Sequence, residues 1–206
     1  MKKFLIAMLL LVSGLASAAA LVEGENADYT RLAAPQPVAN PKHVEVIEFF
    51  SYSCIHCYKL DPYIMSWAKS KPADVDFKRV QIVWGQPMEG LARFFATMNE
   101  LKLVGKLNHA AFVAVMDQHI NLGNPAELAP WLRTQKGVDA NHFMNTFNSF
   151  GINTQLANAK QLTQAYAIQG TPSIVVNGKY EMVPADPQIM IRRLNQMIDM
   201  ARKEKK

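Results

Sequence analysis

Cysteine is almost missing from this 206-residue chain, which carries two. Small exported domains stapled by disulfides spread several pairs over distant loops, so that class is excluded. Glycine and proline are sparse as well, with 10 and 11 residues. No internal repeat appears, and the one biased tract is the basic tail from Arg202 to Lys206. A disordered or collagen-like chain is therefore excluded. Charge of one sign is also modest. The 22 basic and 17 acidic side chains leave +5, and the basic residues are scattered rather than gathered in a stripe, so no nucleic-acid partner is expected. No apolar run reaches the roughly 17–25 residues that a membrane-spanning helix needs.

The N-terminus reads as an address. Lys2 and Lys3 precede an unbroken apolar run from Phe4 to Val12, Ser13-Gly14 breaks it, and Ala16-Ser17-Ala18 fits the cleavage pattern of a secretory signal. Residues 1–18 are thus expected to be removed, which takes two lysines and leaves +3. The mature protein is expected to be soluble and exported.

Strand and helix signals alternate along the rest. Val44 to Phe50 is rich in β-branched and aromatic residues and predicts a buried strand. A helix is predicted from Cys54 to about Ser70, with Pro62 inside it as a kink, followed by a second strand over Val75 to Trp84. From Glu89 to about Ser149 the pattern is helical. Asn124-Pro125-Ala126-Glu127 gives a helix start, Gly137 an end and Asp139 the next cap. Phe94, Phe95, Met98, Phe112, Met116, Trp131, Phe143 and Met144 recur there at helical spacing and are expected to be mostly core. A further helix is expected over Asn153 to Ile168. Ser173 to Val176 and Lys179 to Met182 flank Asn177-Gly178, a strong hairpin signal, and a last helix begins near Pro187. The order implies an α/β fold with an inserted all-helical subdomain: 19–86 and 152–206 forming one discontinuous domain, and 87–151 the insertion.

The two cysteines, Cys54 and Cys57, are neighbours. A bridge between them closes a very small loop and is a poor staple, so a redox role explains it better. If Cys54 opens the helix, Cys57 falls one turn on, on the same face. Cys54 then meets free backbone N–H groups and the positive end of the helix dipole, both of which favour a thiolate. His56 between them adds to this if protonated or hydrogen-bonding. A stabilised thiolate makes the disulfide a stronger oxidant. Cys54 is expected to be the attacked sulfur and Cys57 the resolving one. Tyr58 stands where a c-type haem motif needs His, and no second Cys pair supports a four-ligand zinc site. A copper site using both thiols and a distant Met or His stays open, but no metal and no cofactor are expected.

The stretch Glu48-Phe49-Phe50-Ser51-Tyr52-Ser53-Cys54-Ile55-His56-Cys57-Tyr58 resembles the active-site strand and helix start of the DsbA family of thiol–disulfide oxidoreductases. Gly170-Thr171-Pro172-Ser173, followed by Val175 to Tyr180, resembles that family's cis-proline loop and hairpin. The resemblance covers the whole mature chain and implies a thioredoxin-like fold. It implies that Cys54 is the nucleophile, Cys57 its buried partner, and Ile55-His56 the dipeptide that tunes the potential. Pro172 is implied to be cis, with the Thr171 backbone holding an extended substrate strand. The implied activity is protein-disulfide oxidation in the periplasm. A thiolate of an unfolded exported substrate attacks Cys54, a mixed disulfide forms, and a second substrate thiol releases Cys54 reduced. A quinone-linked inner-membrane reoxidase of the DsbB type is the implied partner, and a monomer is expected.

Glu48 shares a strand face with Val44, Val46 and Phe50, and Lys78 one with Val80, Ile82 and Trp84. A charge on an apolar face is costly unless paired or wet; a strand-end charge reaching solvent is the plainer account. The family's buried Glu and neighbouring Lys resemble these positions, which implies that Glu48 and Lys78 move protons to and from Cys57. Two positions depart from well-known members: Ile55 replaces Pro, and Thr171 replaces Val and adds a hydroxyl beside the disulfide. The second change is shared with thiol isomerases and reductases, so a reductase or isomerase on the same fold stays open. So does a non-catalytic chaperone or metal carrier using an apolar groove.

Overall fold

The computed structural model describes Glu23 and residues 27–205, so the expected secretory signal of residues 1–18 lies outside the described residues. Five strands form one sheet in the order β1-β5-β4-β2-β3. They are β1 (Tyr29–Arg31), β2 (Val44–Phe50), β3 (Val75–Gln81), β4 (Ser173–Val176) and β5 (Tyr180–Met182). β2 and β3 run parallel, and the other pairings are antiparallel. Every residue of β2 is buried, because both faces of the sheet are covered, which is why apolar residues stand on both faces of the strand rather than on one alone; the two exceptions, Glu45 and Glu48, are buried as well.

On one face lie α1 (Ile55–Ser70) and α7 (Pro187–Lys203), packing Leu60, Ile64, Leu194 and Met197 onto Val44, Val46, Ile174 and Val176. On the other, α6 (Phe150–Ala165) and the turn after it place Tyr166 and Ile168 against Ile47, Phe49, Val80, Ile82 and Val175. Between β3 and α6 come α2 (Glu89–Glu100), α3 (Val104–Met116), α4 (Pro125–Thr134) and α5 (Ala140–Phe147). Their aromatic side chains Phe94, Phe95, Phe112, Trp131 and Phe143 are buried with Met98, while Met116 and Met144 are partly buried around them. This third packed group also contains Phe50, Tyr52 and Cys57. The four helices are thus welded to the end of β2 and the start of α1.

Local signals explain several element ends. The side chains of Asn124 and Asp139 accept hydrogen bonds from Ala126 N and His142 N, capping α4 and α5. Asn177 and Gly178 both have positive φ, 55° and 64°, as the two-residue turn of a tight hairpin requires. Gly178 also lies so close to the Gln36 carbonyl that a Cβ there would collide with it. Three boundaries differ from expectation. β1 was not expected: three residues carry no periodicity, and the segment is ordered by pairing with β5. α6 begins at Phe150, ahead of Asn153. β3 ends at Gln81, because the chain turns outward and leaves Trp84 half-exposed, its indole N–H donating to the Ile168 carbonyl at 2.7 Å.

Candidate active site

Ser51-Tyr52-Ser53 carries the chain from the buried end of β2 to the start of α1. Cys54 is the helix N-cap, with extended backbone (φ −104°, ψ 116°), and its Sγ accepts the N–H of Cys57 at 3.3 Å. A sulfur in this position meets the orphan N–H groups and the positive end of the helix. Both cysteines are free thiols; Cys54 is half-buried and Cys57 has no exposed surface. The Cys54 thiol is lowered to about 5. The largest cause is a hydrogen bond from the Cys57 side chain; burial opposes it, and the Thr171 side chain and the backbone N–H groups of Cys57 and His56 add to it. Cys57 is pushed the other way, far up, by burial first and then by its hydrogen bond to Cys54 and the nearby negative charges of Cys54 and Glu48. One pair of identical groups is thereby split into a thiolate and a tightly held thiol.

The wall opposite the sulfur is the loop before β4. The Thr171–Pro172 peptide bond is cis, and the protonated Cys54 thiol donates to the Thr171 carbonyl at 3.2 Å. Ser173 Oγ donates to the Gly170 carbonyl at 2.9 Å and braces this loop. Beside it runs a groove of about 510 Å³ lined by His56, Lys59, Leu60, Thr171, Pro172 and Met190 among others.

Below the sulfurs, buried charges fill the space between the sheet and α1. Glu48 is wholly buried, and Arg79 beside it is nearly so. Arg79 Nε donates to Glu48 Oε2 at 2.6 Å, its Nη2 to Glu48 Oε1 at 3.4 Å, and its Nη1 reaches Asp61 Oδ1 at 3.2 Å. The guanidinium also lies 4.1 Å from the centre of the Phe50 ring, a favourable stacking for a planar cation. Asp61 accepts from Asn108 Nδ2 at 2.5 Å, and Asn108 Oδ1 accepts from Tyr52 Oη at 2.7 Å. Burial raises both carboxyls above the ordinary range, and the Arg79 charge opposes it in each. Gln81 closes the other side: its Oε1 accepts from Tyr52 N at 3.0 Å and its Nε2 donates to Ser51 Oγ at 3.2 Å.

Cys54, Cys57, Thr171 and Pro172 meet at one place, with Glu48 in electrostatic reach of both sulfurs. Lys78 does not join them. In the parallel register Glu48 lies opposite Arg79 and Ile47 opposite Lys78, so Lys78 falls on the other face of the sheet, where its Nζ donates to Glu45 Oε2 at 2.9 Å. The Lys78 part of the expectation is thus corrected: the base beside Glu48 is Arg79. Apart from Trp84, which lies beyond the end of β3, the faces follow the alternation, but which faces coincide depends on register, and that is a tertiary fact. His56 has an exposed ring bordering the groove, and its backbone N–H is the part that lowers the Cys54 thiol. Four contributors were not singled out in the sequence: Arg79, Asp61, Asn108 and Gln81. Asp61 had a readable signal, since it lies four residues after Cys57 and so on the same helix face. The others depend on chain crossings that no local pattern reports. Among the described residues no group of three His, Cys, Asp or Glu could hold a metal ion, and no helix is long and apolar enough to cross a membrane.

Known proteins share the sequence and the fold of this chain. A family model described as a DSBA-like thioredoxin domain matches residues 45–194. The thiol:disulfide interchange protein DsbA of Pseudomonas aeruginosa is 36% identical over 182 residues, covering 87% of this chain and 86% of that protein. The protein of the same name from Burkholderia cepacia is 38% identical over 189 residues, covering 90% and 89%. Among solved structures, reduced DsbA1 from Neisseria meningitidis superposes with a TM-score of 0.83 at 33% identity, over 91% of this chain and 98% of that one. Pseudomonas aeruginosa DsbA gives 0.81 at 35% identity, over 86% and 93%. The α/β architecture with its helical insertion is therefore thioredoxin-like.

Proposed function

Because the chain belongs to the DsbA-like family of thiol:disulfide oxidoreductases, we propose that Cys54 and Cys57 are its redox pair, with Cys54 the attacked sulfur. The chain is a protein-disulfide oxidoreductase that donates a disulfide to thiol substrates. The observation that carries the residue assignment is the split between the two thiols: one exposed to attack and lowered to about 5, the other buried and raised.

In the oxidised protein a substrate thiolate attacks Cys54 Sγ. The Cys54–Cys57 bond breaks, and Cys57 leaves with the electron pair and takes up a proton, which its high proton affinity favours. Held as a thiol, Cys57, the resolving sulfur, attacks back only slowly, and the mixed disulfide persists. A second substrate thiolate then attacks the substrate's own sulfur in that bond. The substrate disulfide forms and Cys54 leaves as a thiolate, the better leaving group for its low pKa. Two electrons pass from the substrate dithiol to the protein. The Thr171 carbonyl and the Pro172 ring shape the wall along which an extended substrate lies, and the groove beside them accepts its neighbouring residues. Glu48, paired with Arg79, is the buried acid that exchanges protons near Cys57, while His56 acts on the thiolate through its backbone N–H.

Residues 1–18 act as a secretory signal, the mature chain works in the periplasm on unfolded exported proteins, and a quinone-linked membrane partner of the DsbB type takes the two electrons back. Residues 19–86 and 152–206 form the thioredoxin-like domain and 87–151 the helical insertion. The redox equilibrium of the pair against glutathione tests the reading, with the Cys54 thiolate followed by ultraviolet absorbance on the same sample. Cys54 has its thiol depressed from 9.0 to about 5. The thiolate therefore stabilises the reduced fold fully above the ordinary value, and this is lost as pH falls through about 5. A thiolate midpoint near 5, with an equilibrium that strongly favours the dithiol at neutral pH, is expected. An ordinary midpoint with a reducing couple overturns the disulfide-donor assignment and points to a reductase.

A further inference from the structure

Asn108 lies on α3, far in sequence from both cysteines, yet it is buried to 3% exposure and bonded on both sides. Its Nδ2 donates to Asp61 Oδ1 at 2.5 Å, one helical turn beyond Cys57, and its Oδ1 accepts from Tyr52 Oη at 2.7 Å, in the turn that delivers Cys54. A neutral amide suits the place because it donates in one direction and accepts in the other, which neither a carboxylate nor an ammonium does. Asp61 has few other partners. Arg79 on β3 is 3.2 Å away but is also held by Glu48 on β2. His109, next to Asn108 on α3, acts on Asp61 more weakly than either Arg79 or Asn108. Two buried carboxyls thus face one guanidinium, and among the described residues the other close donor to them, Asn108, comes from the helices between β3 and α6.

We propose that Asn108 is a positioning residue through which these helices hold the Asp61 carboxylate beneath Cys57 as the second anion on Arg79, and so set the pH dependence of the dithiol. A buried anion stays charged only when enough donors replace its water. Without the Asn108 N–H, Arg79 alone faces Glu48 and Asp61, and Asp61 takes up a proton. One negative charge then leaves the space below the sulfurs, and the exchange of the pair responds to pH differently.

The inference rests on Cys54–Cys57 being the redox pair, but its first readout does not. Carbon NMR titration of the Asp61 carboxyl in the mature protein reports the Asn108 contact whether or not the pair exchanges disulfides. In Asn108→Leu the Asp61 midpoint is expected to rise by about one pH unit, a tenfold gain in proton affinity. The pH profile of the glutathione equilibrium is then expected to move in Asn108→Leu and not to move further when Asn108→Leu is placed in an Asp61→Asn background. An unchanged Asp61 midpoint, or an equal shift of the profile in both backgrounds, overturns the proposal. If Asn108→Leu does not fold, Asn108→Asp keeps the size and the acceptor for Tyr52 while setting a carboxyl against Asp61. That pair is expected to share a proton into the neutral range and to move the profile, and an unmoved profile overturns the proposal. Denaturant unfolding of each variant separates plain loss of stability from this effect.

Discussion

Two glutamates three residues apart on β2 each meet a base on β3, on opposite faces of the sheet. On the α1 face Glu48 and Arg79 are both buried, with Asp61 added and a cysteine pair above. On the α6 face Glu45 is buried but Lys78 is 42% exposed, and the neighbour is Tyr166, whose phenol is pushed up to about 12 by burial and by the Glu45 charge. The bonds are alike in length and sign. What differs is access to water, and with it the consequence of a lost partner. A pair with one exposed end lets water reach the charge that is left, whereas a pair buried at both ends leaves a bare charge. The sheet thus separates a pair serving the surface from a pair placed to act on the sulfurs.

The sharpest way to break this comparison is to remove each base in turn. Arg79→Met strands Glu48 and Asp61 without their shared cation and is expected to cost about 3–5 kcal/mol in urea unfolding. Lys78→Met leaves the buried Glu45 without its cation but open to water from the side that Lys78 occupied, and is expected to cost less, about 1–2 kcal/mol. Equal losses from the two variants would end the distinction between dry and wet faces. Removing the acids instead tests reach rather than stability. Glu48→Gln is expected to shift the glutathione equilibrium several-fold, because its charge acts on both sulfurs; about 1.4 kcal/mol corresponds to tenfold. Glu45→Gln is expected to leave that equilibrium in place, and a matching shift would show that the field crosses the sheet. The smallest effect concerns the outer tie between α1 and α3. Tyr58 Oη donates to the exposed Asp117 Oδ2 at 2.9 Å. Tyr58→Phe is expected to change stability by about 0.5 kcal/mol or less, far below the effect of disturbing the buried tie through Asn108.

Much of the scaffold was legible because its causes are local. β2 announces itself by composition, α4 and α5 by Asn124 and Asp139, and the hairpin by Asn177-Gly178. The cysteine spacing placed both sulfurs at the start of one helix. What escaped were facts about crossings. β1 is fixed by its pairing with β5. Arg79 rather than Lys78 stands beside Glu48 because the parallel pairing of β2 with β3 has that register, and no pattern within either strand contains it. Asn108 carries no signal of its own, since an asparagine in a helix is ordinarily solvated, and its place is set by how α3 lies on α1. The charge on an apolar face was readable at Glu48, but the identity of its partner was not.

Cys57 is packed among the side chains of α2 to α5, with Phe50 and Tyr52, and this bears on modular engineering. The segment between β3 and α6 has the look of a detachable cassette that could be excised to leave a minimal redox protein, or grafted onto another one. It is also the dry side of the second thiol. A shortened version would open Cys57 to water, its proton affinity would relax toward that of an ordinary cysteine, and the two sulfurs would lose much of what tells them apart. The oxidant and the cassette are one object.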